Sequence, residues 1–259
     1  MKEEAKTAAV LAGSLVLSVA CFQLVSGDLL VQGVLLAAVG VGAAALADRP
    51  ALAWRGMRGS LGWPAYVLAV GLACGLASVA GMGRDGSASV PQVLEVVLSC
   101  LFTGVFEEGV FRVAALAALV PAFGGGRRGL LKAALVSSLL FGALHVPIAD
   151  AVAAGSAVAW AQTVLKPLQA TLFGLFMAGL FVRTRSLWAI AGLHGLFNVF
   201  YAGPLMLAGA AQATYVTGDL RDLALLAAST ALLVPPALAA WSEAKERGGG
   251  TPGSPSGPT

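Results

Sequence analysis

The sequence predicts an all-α, polytopic membrane protein with about eight transmembrane helices that enclose a polar site at intramembrane depth. Of the 259 residues, 58% are hydrophobic and 11% are charged, and the mean hydropathy is +0.85. Ordinary soluble domains hold roughly 45–50% apolar and ~25% charged residues. The 33 glycines favour closely packed transmembrane helices, because small residues let helix backbones approach each other in lipid. The composition therefore excludes a water-soluble monomer.

Eight apolar stretches have about the 20 residues that a helix needs to cross a ~30 Å hydrocarbon core. They cover residues 7–26, 29–47, 62–82, 91–120, 130–147, 165–183, 187–206 and 221–241. The first follows Lys2 and Lys6, as a signal peptide would, but it is longer than the usual ~7–15-residue apolar region and a second span follows it. We therefore expect a retained helix. Asp150 and its flanking small residues favour a re-entrant or surface segment over residues 148–164.

We expect one integral membrane domain over residues 1–247, with the candidate site residues within residues 91–206. No internal repeat and no second domain is visible in the sequence. Residues 248–259 consist of Gly, Pro, Ser and Thr alone, a composition that predicts a disordered tail because it cannot bury a core. The three cysteines lie in apolar stretches without a CxxC pair, which indicates buried hydrophobic side chains.

The distribution of cations predicts the orientation in the membrane, because cytoplasmic loops carry an excess of Lys and Arg. Twelve cations fall on the side that also carries both termini: Lys2, Lys6, Arg49, Arg55, Arg58, Arg127, Arg128, Lys132, Arg183, Arg185, Lys245 and Arg247. The other side carries Arg84, Lys166 and Arg221. We therefore expect both termini in the cytoplasm. The compact, Ala- and Gly-rich chain favours a bacterial inner membrane. No long basic tract is present, which argues against a nucleic-acid partner.

Three ionisable side chains lie inside the fourth span, where each costs about 2.5–3.5 kcal/mol to insert at the bilayer centre. They are Glu107, Glu108 and Arg112. Glu108 and Arg112 are four residues apart and can pair on one helix face. A purely structural ion pair would therefore explain the presence of these two residues. Glu107 points about 100° away from Glu108 around an α-helix. It therefore needs a partner on another helix.

Both histidines of the chain lie at intramembrane depth. His145 ends the fifth span, and His194 lies in the seventh span, one turn before Asn198. A single histidine in an apolar helix is more often structural than catalytic. Costly polar groups in lipid, however, face the bundle interior and one another. We therefore expect Glu107, both histidines and Asn198 to form a single internal cluster.

Such a cluster can hydrolyse a peptide bond. Glu107 and a neutral His145 can share the work of a general base and deprotonate a water molecule held between them. His194 and Asn198 place two hydrogen-bond donors on one helix face, as the stabilisation of a tetrahedral oxyanion requires. Glu108 and Arg112 would hold the helix in place. No serine or cysteine adjoins either histidine, so the pattern nominates no nucleophilic side chain.

At these residues the sequence resembles the CPBP family, which comprises CAAX proteases and bacteriocin-processing enzymes formerly called Abi. The resemblance covers about residues 91–206 and rests on three motifs, each in its own span. The motifs are Glu-Glu-x-x-x-Arg at Glu107, Glu108 and Arg112, Phe-x-x-x-His at Phe141 and His145, and His-x-x-x-Asn at His194 and Asn198.

The resemblance implies an eight-helix intramembrane endopeptidase. Glu107 and His145 would activate water, His194 and Asn198 would line the oxyanion site, and Glu108, Arg112 and Phe141 would support them. The implied substrate is a peptide or membrane protein in the lipid bilayer, either a prenylated CAAX sequence or a precursor that needs C-terminal or peptide-maturation processing. We expect no cofactor, because the sequence lacks H-E-x-x-H and supplies an oxyanion pair. Zn bound by Glu107, His145 and His194 is the alternative.

Two other function classes compete with the protease. In a proton- or cation-coupled transporter, Glu107, His145 and His194 would form an ion relay. A transporter of this kind predicts paired, interrupted helices in two related halves, which the sequence does not show. The other alternative is a non-catalytic membrane scaffold on the same fold, which the three intact motifs make less favourable. The sequence predicts no particular oligomeric state.

Overall fold

The computed structural model describes residues 2–25, 27–57, 61–80, 88–208 and 215–247. Of these residues, 86% are helical and none lies in a strand. The predicted all-α class is therefore confirmed. The predicted disordered tail at residues 248–259 lies outside the described ranges, as do Arg58 and Arg84.

The α-helices of the described ranges follow one another with short connections. In chain order they are α1 (Lys2–Leu24), α2 (Leu29–Ala47), α3 (Gly62–Val79), α4 (Val90–Glu108), α5 (Ala115–Ala122), α6 (Gly126–Ala143), α7 (Ile148–Ala154), α8 (Ala157–Thr184), α9 (Leu187–Tyr201), α10 (Gly203–Leu207) and α11 (Leu220–Arg247). A 3₁₀ turn, Arg49–Leu52, follows α2, and a π-helix, Gly109–Ala114, joins α4 to α5 without a break.

Six helical stretches within the described ranges are long and apolar enough to cross a membrane: Glu3–Leu24, Leu29–Ala47, Gly62–Val79, Gly126–Ala154, Ala157–Thr184 and Leu220–Glu246. The chain is therefore an integral membrane protein, but the predicted count of eight spans is not confirmed. The fourth predicted span is the continuous run of α4, π-helix and α5. The seventh predicted span contains α9, whose 15 residues extend only about 22 Å at 1.5 Å per residue.

Polar caps explain why several helices begin where the apolar stretches do. Asp28 precedes α2 and accepts hydrogen bonds from the backbone N–H groups of Leu30 and Val31 at 3.1 and 2.9 Å. Ser89 precedes α4 and forms a capping box with Gln92. These side chains satisfy backbone donors that the first helical turn leaves unpaired.

Two predicted boundaries around residue 150 are wrong. Helix α6 ends at Ala143 rather than at residue 147, since the residue before Pro147 is disfavoured in an α-helix. The segment 148–164 is helical: α7 fills its first half, and α8 begins at Ala157 rather than at the predicted residue 165. Ser156 starts α8 by accepting a hydrogen bond from the backbone N–H of Ala159 at 3.1 Å.

Glycines bring α4 and α9 into backbone contact, and this contact positions the polar residues of both helices. A Cβ atom added at Gly104 of α4 would lie 2.6 Å from the carbonyl oxygen of Ala191 in α9. A Cβ atom added at Gly195 of α9 would lie 2.8 Å from the Cα atom of Leu101 in α4. Because backbone atoms cannot move aside as a flexible side chain can, only glycine fits these two positions. Helix α4 also packs against α2, while α8 packs against α6 and α11.

We expect Gly195→Ala to separate α4 from α9 and to destabilise the fold, because overpacking a tight contact costs about 1–3 kcal/mol. The measurement is the thermal unfolding temperature of the purified protein in detergent. Gly192→Ala, on the same helix, is the matched control, since a Cβ atom there meets nothing within 4 Å. Equal unfolding temperatures for the two variants would show that the glycine contact does not set the helix spacing.

Candidate active site

The Glu-Glu-x-x-x-Arg motif lies where the regular α-helix ends. Glu107 and Glu108 are the last residues of α4, and Arg112 belongs to the π-helix Gly109–Ala114. The side chains of Glu108 and Arg112 are fully buried, and Glu108 Oε2 lies 3.3 Å from Arg112 Nε. The predicted pair is therefore confirmed. The π-helix itself is not predicted by the sequence; such segments are rare and occur frequently at functional sites.

Glu107 lies between the two histidines. Its Oε2 atom is 3.2 Å from His194 Nε2, and its Oε1 atom is 3.7 Å from His145 Nε2. The side chain remains 13% exposed. The prediction that Glu107 needs a partner from outside its own helix is confirmed, and both histidines supply one.

His194 contacts two carboxylates. Its Nδ1 atom donates a hydrogen bond to Glu108 Oε1 at 2.7 Å, while its Nε2 atom faces Glu107 at 3.2 Å. A carboxylate can only accept a hydrogen bond, so Nδ1 carries a proton. The Nε2 contact with Glu107 is an ion pair when His194 also carries a proton on Nε2. Glu107, His194 and Glu108 together then carry one negative charge, which Arg112 balances.

His145 lies in the turn that follows α6, not in the helix itself. Its Nδ1 atom is 2.7 Å from the carbonyl oxygen of Phe141, which can only accept a hydrogen bond. The proton of a neutral imidazole is therefore on Nδ1, and the lone pair of Nε2 points to Glu107. The turn thus fixes the tautomer that a general base requires.

Phe141 holds the charged groups of the site in place. Its ring centroid lies 4.4 Å from that of His145 and 6.0 Å from that of His194. The guanidinium carbon of Arg112 lies 4.4 Å from the same centroid, a cation–π distance. The buried ring therefore supports both histidines and the buried arginine.

A cavity of about 350 Å³ opens beside these groups. Glu107, His145, His194 and Asn198 all line it, so the structure brings the four predicted site residues to one space. Asn198 lies one helical turn after His194, in agreement with the spacing of the motif. The rest of the wall includes apolar side chains and the polar side chains Ser99, Thr103, Lys166, Gln169 and Tyr201.

Most of these further polar residues are not predicted by the sequence. Ser99 and Thr103 precede Glu107 at intervals of four residues, which places all three on one face of α4. Lys166 is predicted only as a cation of the side opposite the termini, at the start of the sixth span, whereas it lies well inside α8 and donates a hydrogen bond to Gln169 Oε1 at 3.1 Å. The four-residue spacing on α4 is a signal that could have found the first two. Lys166 is not found in this way, because the apolar residues of the long helix around it give no sign of which way its side chain points.

The metal alternative depends on the same three side chains. Glutamate and histidine are suitable Zn ligands, and the proton on His145 Nδ1 leaves its Nε2 lone pair free for one. Within the described ranges, however, no group of three or more His, Cys, Asp or Glu side chains is arranged to hold a metal ion. His145 and His194 contact the oxygens of Glu107 instead.

Comparison with known protein families finds one similarity. Residues 89–200 match the family described as type II CAAX prenyl endopeptidase, Rce1-like. The match covers less than half of the chain and shows that this segment is similar to the Rce1-like family. It contains all three motifs, from Glu107 to Asn198. The family match supports intramembrane protease activity in the broad sense. No protein with a curated description matches the chain.

Proposed function

We propose that the chain cleaves peptide bonds within the membrane by water that Glu107 and His145 activate. Its substrates are peptides or membrane proteins, either prenylated CAAX sequences or precursors that need C-terminal or peptide-maturation processing. The observation that carries the proposal is the position of Glu107 between His145 and His194 on a cavity of about 350 Å³. A carboxylate and a neutral imidazole that face each other across 3.7 Å can share one water molecule.

In the proposed first step, the water oxygen attacks the carbonyl carbon of the scissile bond and its proton passes to Glu107. The bond to the leaving amine then breaks as that proton passes to the amine nitrogen. His145 accepts a hydrogen bond from the water at Nε2 and orients it. Such positioned proton transfer contributes about 10²–10⁴-fold to a rate.

His194 and Asn198 stabilise the oxyanion that forms during the attack. When His194 carries a second proton on Nε2, it can donate that proton in a hydrogen bond to the oxyanion, while Nδ1 stays bonded to Glu108 at 2.7 Å and Glu107 remains a carboxylate that can act as the base. Asn198 adds an amide N–H from the next turn of the same helix. Donors aimed at a developing charge are effective in a water-poor site, because they need no reorganisation during the reaction. Glu108 and Arg112 act as positioning residues for His194.

A reconstituted assay tests the proposal. The purified protein is placed in liposomes and incubated with a farnesylated peptide that ends in a CAAX sequence, and also with a membrane-anchored peptide library. Products are identified by mass spectrometry. Defined products that require Glu107 support the proposal, whereas their absence with every substrate, in protein that remains folded, contradicts it.

Hydrolysis is expected to proceed without a metal, because the proposed steps use only side chains of this chain. The measurement is the initial rate in the liposome assay before and after treatment with a membrane-permeant zinc chelator. We expect the rate to remain within about twofold of the untreated value. For comparison, a tenfold change in rate corresponds to a difference of about 1.4 kcal/mol in activation free energy. A rate that falls with chelation and returns when Zn is added would favour the alternative in which Glu107, His145 and His194 bind the ion.

The proposed setting is a bacterial inner membrane with both termini in the cytoplasm. The cation distribution supports this orientation. Reporter fusions to the two termini test it, since a cytoplasmic fluorescent reporter and a periplasmic phosphatase reporter give opposite results on the two sides.

A further inference from the structure

Lys166 is a cation in the wall of the cavity that the proposed hydrolysis does not use. Its Nζ atom donates a hydrogen bond to Gln169 Oε1 at 3.1 Å and lies 5.3 Å from the ring centroid of Tyr201. Among the described residues, Lys166 is the one lysine or arginine that lines the cavity, and it forms no ion pair with a carboxylate there. Ionisable residues at this depth are costly and typically mark functional sites.

No carboxylate of the described residues lies within ion-pair distance of Lys166, although Glu107 attracts its charge. When His194 carries both of its protons, it forms with Glu107 and Glu108 a cluster of one negative charge. Arg112 balances that charge from 3.3 Å. The positive charge of Lys166 is therefore available for an anion that enters the cavity.

The lysine is also held in place. Gln169 is 4% exposed, and its Nε2 atom donates hydrogen bonds to the hydroxyl oxygens of Tyr201 and Ser229 at 2.7 and 2.5 Å. These bonds orient the Gln169 amide so that its Oε1 atom accepts the hydrogen bond from Lys166. A lysine without such a partner can extend its long side chain toward the membrane surface. Here the network keeps the ammonium group over the cavity instead.

We propose that Lys166 binds a carboxylate of the substrate while Glu107 and His145 act on the peptide bond. The carboxylate is either the α-carboxylate at the C-terminus of the substrate or an acidic side chain near the scissile bond. Because Lys166 and Glu107 line one cavity of about 350 Å³, the carboxylate lies within a few residues of that bond. The assignment rests on the proposed function and deepens it, since it makes Lys166 a residue that selects the substrate.

Binding measured without hydrolysis tests the proposal. Glu107→Gln protein in lipid nanodiscs is titrated with three fluorescent farnesylated CAAX peptides. One ends in a free carboxylate, one ends in a carboxamide, and one ends in a carboxamide but has Glu as its last residue. Since a hydrogen bond to a charged group contributes about 1.5–3 kcal/mol, the free acid should bind about 10- to 100-fold more tightly than the plain amide. If the amide with Glu binds as tightly as the free acid, the subsite accepts an acidic side chain as well.

Substitution of the lysine should remove this preference. In the Glu107→Gln background, Lys166→Met should bind the free acid and the plain amide equally, and Lys166→Arg should retain most of the difference. Lys132→Met is the matched control, because Lys132 is exposed on α6 and outside the cavity wall. Unchanged binding of the plain amide shows that the Lys166→Met protein is folded.

Two results would overturn the assignment. One is equal binding of all three peptides by the protein with Lys166 intact. The other is a carboxylate preference that survives Lys166→Met. Failure of the proposed hydrolysis is distinguishable from failure of the subsite. If the protein binds the free acid through Lys166 but produces no cleavage with Glu107 intact, the protease proposal is contradicted while the carboxylate subsite is supported.

Discussion

Glu107→Gln is expected to abolish peptide hydrolysis and to leave the fold intact. The amide has the shape of the carboxylate and can still contact His145 and His194, which lie 3.7 and 3.2 Å from Glu107. It cannot accept the proton of the attacking water. Loss of a general base lowers a rate by about 10²–10⁴-fold. The measurement compares peptide termini in membrane and secreted fractions, by mass spectrometry, between hosts that express the unmodified or the substituted protein at equal levels.

The same substitution at Glu95 provides the control. Glu95 also lies on α4, but it is exposed and outside the cavity wall, so Glu95→Gln should leave every terminus unchanged. A set of termini that disappears only with Glu107→Gln identifies the natural substrates. If no terminus changes while Glu107→Gln rescues a deletion phenotype, the non-catalytic scaffold explains the function better.

The ends of the helices show how far sequence predicts this fold. The second span is predicted at residues 29–47 and observed at Leu29–Ala47, because Asp28 and Asp48 bound its apolar stretch. The predicted end of α6 is four residues too late, and the first two turns of α8 are predicted as part of a re-entrant or surface segment. Hydropathy continues across both places, so the boundaries depend on Pro147 and on the Ser156 cap rather than on apolar content.

The site is predictable where chemistry requires partners. Charged and polar side chains in lipid must meet one another, and this requirement alone predicts that Glu107, His145 and His194 lie together. The π-helix is not predictable in this way, because Glu108 and Arg112 can pair in a regular α-helix as well. The inward position of Lys166 depends on Gln169, Tyr201 and Ser229, which lie on three different helices, and a linear sequence does not reveal that contact.

Glu108→Gln is expected to destabilise the protein strongly, in contrast to Glu107→Gln. Glu108 and Arg112 are both fully buried, and no nitrogen atom of the guanidinium group has a hydrogen-bond partner among the described residues. The carboxylate of Glu108 is therefore the closest countercharge of Arg112. Removal of one partner from a buried ion pair costs about 3–5 kcal/mol, because the other charge remains buried and unpaired. Thermal unfolding of the two purified variants in detergent measures the difference.

A double substitution separates the structural role of Glu108 beside Arg112 from its role in positioning His194. Glu108→Gln with Arg112→Met leaves no unpaired charge, and uncharged replacement of a buried ion pair is often neutral. We therefore expect the double variant to unfold near the temperature of the unmodified protein. Hydrolysis should remain low, because His194 Nδ1 still lacks the carboxylate that bonds it at 2.7 Å and favours a proton on Nε2. Full recovery of both stability and hydrolysis would mean that Glu108 serves only to neutralise Arg112, and that His194 needs no anionic partner to assist the reaction.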